Sequence, residues 1–166
     1  MATKTSFTPE EWQLLMEGIM SSGVAVTAAD PSGLWGLLKE GMASAGALME
    51  TKSNPKSNEL LEAIVADIET SEGRTRVQAG LRKKFEGAKP GEVKTRSIDM
   101  LREASRLLDT KAPEEAATVK GLMKTIGERV AQAASEGGVL GFGGVKVSEP
   151  EKATLSEIAK ALSLPA

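Results

Sequence analysis

Apolar residues early in the chain recur at Trp12, Leu15, Met16, Ile19, Gly23 and Val26, the spacing of one helical face. A second stripe of small or short residues, Leu14, Gly18, Ser21 and Ala25, occupies another face of the same segment. A helix apolar on two sides is buried on two sides, so the first helix is expected at the centre of the fold. Its start is marked by several signals together. Thr8 can cap, Pro9 suits the first turn, Glu11 completes a capping box, and Phe7 and Trp12 have the spacing of a hydrophobic staple.

The same reading continues along the chain. Asp30-Pro31-Ser32-Gly33 opens a second helix whose apolar face gathers Leu34, Trp35, Leu37, Leu38, Met42, Ala45, Leu48 and Met49. Small residues on both of these helices predict a closely packed antiparallel hairpin. Polar residues at 51–56 form a loop, and Asn54-Pro55 starts a third helix with Leu60, Leu61, Ile64, Val65 and Ile68. The pattern breaks near 71–73. A fourth segment at 74–85 has only Val77, Leu81 and Phe85 as anchors and ends at Gly87-Ala88-Lys89-Pro90-Gly91. A fifth helix runs from about Glu92 to Leu108, and Pro113-Glu114-Glu115 opens a sixth. A glycine-rich loop at 136–147 precedes a capping box, Ser148-Glu149-Pro150-Glu151, and a last helix with Leu155, Ile158, Ala159 and Leu162. No segment alternates with period two for long, and 139–147 is the only stretch where a short strand or hairpin fits. The expectation is an all-α fold, a compact bundle of six or seven helices. Residues 1–166 form a single domain in this reading, with 1–6 as a flexible tail.

Composition narrows the chemistry sharply. The chain contains no histidine, no cysteine and no tyrosine, which removes the imidazole base, the thiolate and the phenol together. Aromatic residues make up 3%, so the core must come from aliphatic side chains, as helix packing allows. The formal net charge is −2, too little positive field for nucleic acid or an anionic membrane surface. No apolar run resembles a signal peptide or reaches the length of a membrane span. A cytoplasmic protein with no membrane partner is the default expectation, and missing cysteine fits any redox compartment.

Charge is unevenly distributed. Residues 1–73 carry four lysines against eleven carboxylates, whereas 74–96 carry eight basic side chains against two carboxylates. Adjacent blocks of opposite sign point to helices that complement each other within one fold. The alternative is an anionic-polymer patch built on Arg74, Arg76, Arg82 and Lys83. Phe85 is the only aromatic residue there, poor material for stacking bases.

Three further features bear on function. Gly141-Phe142-Gly143-Gly144-Val145-Lys146 is neither a dinucleotide fingerprint nor a phosphate loop, and it reads as a turn. Metal chemistry is confined to oxygen ligands, for which Glu17, Asp30 and Glu40 are the candidates, serving either a bound cation or a carboxylate-dependent reaction. No cofactor is implied. Trp12, Met16, Trp35 and Met42 can line an apolar groove between the first two helices. The leading expectation is therefore a non-catalytic binding or assembly module that takes a small molecule or a protein partner in that groove. Apolar side chains left exposed on the short fourth segment would let two chains pair as a homodimer.

Residues Gly143-Gly144-Val145-Lys146-Val147-Ser148-Glu149-Pro150-Glu151, with Leu155, Ile158, Ala159 and Leu162 after them, resemble the second helix-loop-helix of TerB-like tellurite-resistance proteins. The likeness covers about twenty residues and consists largely of a capping box. Where that family has an Asp-rich loop, this chain has Ser135-Glu136-Gly137-Gly138. The resemblance implies a helical fold and a bacterial stress-response setting, and the missing acidic loop argues against its metal site. Ala29 to Glu40 is similar to small all-helical bacterial proteins, which implies kinship of fold alone.

Overall fold

In a computed structural model, which describes residues 1–29, 58–136 and 147–165, the start signals around Thr8 form as read. Thr8 Oγ1 accepts from Glu11 N at 3.2 Å while Glu11 Oε2 accepts from Thr8 N at 2.8 Å. The Phe7 and Trp12 rings close the staple, 5.9 Å apart and tilted by 57°. From this cap the helix α1 runs over Pro9–Ala29.

The remaining described helices are α2 (Glu59–Glu69), α3 (Ser71–Phe85), α4 (Pro90–Lys111), α5 (Pro113–Glu136) and α6 (Glu149–Ala161). A single 3-10 turn, Lys4–Ser6, precedes them. The fold is all-α, and no strand occurs among the described residues. No described helix is long and apolar enough to cross a membrane.

α1 is central, as its two apolar faces predict: it packs most extensively on α4, then on α5, and also meets α6 and α3. Glycine sets these approaches. A Cβ on Gly18 would lie 2.5 Å from Ala104 Cβ of α4, and one on Gly23 would lie 3.2 Å from Val130 of α5. On α5, a Cβ at Gly127 would meet the Ser22 hydroxyl at 3.0 Å and Ile158 of α6 at 3.2 Å. The small stripe of α1 therefore serves α4. The second helix expected at 30–50, with the hairpin it implies, lies outside the described residues, as do the Gly-rich loop at 137–146 and most of the possible strand.

Three boundaries differ from the sequence reading. The helix expected from Asn54-Pro55 is capped by Asn58, whose side chain accepts from Leu61 N at 2.9 Å. The break at 71–73 is shorter than it looks, because Thr70 ends α2 and caps α3 at once, its hydroxyl accepting from Gly73 N at 2.9 Å. Gly73 fits there because any Cβ would collide with the Asp67 carbonyl. Finally, α4 begins at Pro90 rather than near Glu92, which instead supplies the carboxylate that accepts from Lys89 N.

Residues 1–6 are not a free tail. Ala2 is 8% exposed, and its N–H donates to the buried Glu115 at the start of α5, 3.0 Å away. The apolar residues of α3 also depart from expectation. Val77 and Leu81 are buried and Phe85 packs against the core, so this helix offers no apolar face for the homodimer proposed from sequence.

Candidate functional site

The residues nearest to a site lie where α1 begins, and they come from four separate parts of the chain. Trp12 is 4% exposed. Its indole Nε1–H donates to Asp67 Oδ2 in the last turn of α2, at 2.7 Å. Lys4 places its ammonium 3.3 Å from Asp67 Oδ1 and 5.2 Å from the centre of the indole ring. Phe7 packs its tilted ring against the indole, and Ala2 reaches on to Glu115. Residues 1–7 thus form a strap held by a phenyl ring, an ammonium and a main-chain N–H.

The carboxylates facing the strap are set up for cations and N–H groups. Burial pushes the Asp67 carboxyl up, but the indole bond, the Lys4 hydrogen bond and charge, and the Arg76 charge outweigh it and hold the group below its ordinary value. Glu11 is lowered too, by the Thr8 backbone N–H and then by Lys111 of α4, 3.2 Å away, against a smaller opposing contribution from burial. An indole face beside an ionised carboxylate is a cation-binding arrangement.

A second polar cluster continues along α1. Glu17 is 2% exposed, and its Oε1 accepts from Gln13 Nε2 at 2.6 Å. Lys84 Nζ forms an ion pair with Oε2 at 2.6 Å, but outside hydrogen-bond alignment, so that this oxygen has no hydrogen-bond donor. Gly80 lies directly over the carboxylate, and any side chain there would strike Oε1. Gln13 also donates to the Arg76 carbonyl at 3.3 Å. Arg76, whose charge acts on Asp67, therefore links the two clusters into one polar seam between α1 and the α2–α3 pair.

The residues singled out from sequence fall differently. Trp12 and Met16 are core residues and line no open groove. Burial under the strap and among the helices corrects that expectation. Trp35 and Met42 lie outside the described residues. Glu17 is engaged by Gln13 and Lys84, Asp30 and Glu40 lie outside the described residues, and no group of three acidic side chains able to hold a metal occurs among the described residues.

The basic stretch is mostly structural. Arg74 caps α2 through the Ile68 and Glu69 carbonyls, Arg76 pairs with Glu72, Arg96 caps α3 through the Lys84 carbonyl, and Lys94 pairs with Glu157. Arg82 and Lys83 are exposed. Between the two charge blocks, Lys84 meets Glu17 and the Arg76 charge acts on Asp67, whereas the Arg76–Glu72 pair lies within α3 and Lys94 pairs with Glu157 of α6.

Sequence reasoning missed Lys4 and Asp67 as partners of Trp12, and Glu115 as the acceptor for the Ala2 N–H. Phe7 was legible as a staple residue, but nothing local connects Trp12 to a carboxylate 55 positions away. Compared with protein-family models, curated proteins and solved structures, the chain matches none.

Proposed function

We propose that the protein is a non-catalytic helical recognition module whose binding surface is the indole and carboxylate face at the start of α1. The observation that carries this reading is the strap itself. A cation over an indole, a second ring tilted against it and a main-chain donor on a buried carboxylate make up a peptide-recognition contact, here filled by the chain's own residues. The groove expected beside Trp12 becomes a surface under residues 1–7. Ion pairs of partly exposed side chains are weak and reversible, which suits a cover that must yield to a partner.

The test is the Trp12 indole resonance in proton–nitrogen correlation spectra, assigned with Trp12→Phe and followed across a panel of peptides and metabolites. A recognition module shows that resonance, with those of Phe7 and Asp67, shifting on addition of a partner. If every compound leaves the Trp12 indole unmoved, in the wild type and in a Phe7→Ala chain alike, the reading fails.

A further inference from the structure

The strap also indicates what kind of partner would replace it, an inference that rests on the reading just given and goes on to name the partner class. Its contacts are ordered along four residues: Lys4 addresses the Trp12 face and Asp67, and Phe7, three residues later, packs its tilted ring against the same indole. The 3-10 turn over Lys4–Ser6 brings the two side chains to one ring, and the Ser6 hydroxyl fixes the turn by accepting from Thr3 N at 3.1 Å. Among the described residues, the acceptors that meet Lys4 and the Ala2 N–H are both carboxylates: Asp67 is held ionised by its neighbours and Glu115 is 4% exposed. Such a surface selects against an acidic segment, because a third carboxylate there would meet like charge from the buried Glu115 and the largely covered Asp67.

We infer that the partner is a segment of another protein carrying a lysine or arginine three residues ahead of an aromatic side chain, and that residues 1–7 are its intramolecular competitor. Charge complementarity favours this occupant over a nucleotide or an anionic polymer, which the two carboxylates would repel. Phe7 directly precedes the Thr8 cap of α1, so this anchor is restrained by the helix even when the rest of the strap lifts. A tethered competitor occupies its surface at high effective concentration and is displaced only by a segment that makes the same contacts better.

The test uses the full-length chain and a fluorescein-labelled peptide with the sequence of residues 2–8, Ala-Thr-Lys-Thr-Ser-Phe-Thr, blocked at both ends. Anisotropy should show weak binding to the wild type and a Kd lower by about tenfold or more for the Lys4→Ala/Phe7→Ala chain, whose own strap competes poorly. Binding should vanish when glutamate replaces the peptide's lysine. Should the double variant not fold, Lys4→Ala alone, at a half-exposed side chain, is titrated with the same expectation.

A folded variant that ignores the peptide, or binds the glutamate peptide equally well, overturns the inference. So does a dimer of the intact chain that dissolves with Phe7→Ala, which would assign the surface to a second copy. If other compounds move the Trp12 indole while this peptide does not, the partner class falls and the recognition reading stands. If nothing moves it, both fall.

Discussion

α1 meets its neighbours in two contrasting ways. Towards α4, α5 and α6 it presents Gly18, Ser21, Ser22 and Gly23, so close that a carbon added at Gly18 would collide with Ala104 and one at Gly23 would press on Val130. Towards the strap, α2 and α3 it presents Trp12, Gln13 and Glu17, and contact is made by an indole N–H, an amide and a buried carboxylate. The first contact depends on shape and tolerates almost no change of volume. The second depends on the pairing of opposite charges, which is costly to leave half made but can be exchanged for an equivalent pair. A surface meant for recognition belongs on the second side.

Breaking the shape-dependent side should have the largest effect. Gly18→Val, forced against Ala104, is expected to destabilise the fold by about 3 kcal/mol or more in chemical denaturation, with partial rescue by Ala104→Gly. If Gly18→Val is neutral, α1 and α4 are not in close contact.

On the polar side, Lys84→Ala leaves Glu17 buried without its cation. The expected loss is about 2 kcal/mol, the range for an unsatisfied charged group, moderated because Lys84 itself is 41% exposed. Lys84→Arg should recover most of it. Trp12→Phe removes the indole N–H bond to Asp67 together with part of a buried ring, for an expected cost of about 2 kcal/mol.

The fold was far more legible in the sequence than the site, for a physical reason. Helix starts are written in neighbouring residues: Thr8 with Glu11 and Ser148 with Glu151 each lie three positions apart, and both capping boxes form. The Trp12 to Asp67 and Ala2 to Glu115 bonds join residues 55 and 113 positions apart, and no periodicity records such a pairing. Two similar openers show the difference. In Pro9-Glu10-Glu11 the second glutamate caps its own helix, whereas in Pro113-Glu114-Glu115 it accepts from the distant strap. The sign of the charge blocks was readable. Which lysine meets Glu17 was not.

Acidification should sharpen the same contrast. Asp67 and Glu11 have folded values below their ordinary ones, so the native state binds fewer protons than the unfolded chain through that range. Their stabilisation is complete above the ordinary carboxylate values of 3.8 and 4.5 and is lost as pH falls through the lowered ones. Asp67→Asn should flatten this acid limb of the stability profile and leave stability near neutral pH only modestly lower. The smallest effect belongs to the outer surface, where Lys94→Ala, which breaks the pair with Glu157, should change stability by about 0.5 kcal/mol or less.

The most direct measurement is hydrogen exchange of the Trp12 indole N–H, compared between the wild type, Lys4→Ala and Phe7→Ala. With the strap as a yielding cover, the indole proton is protected in the wild type and exchanges about tenfold faster or more in the variants, while the core amides of Leu15 and Leu101 keep their rates. Unchanged indole exchange in both variants, or equal acceleration throughout α1 and α4, would contradict a cover that opens independently of the core.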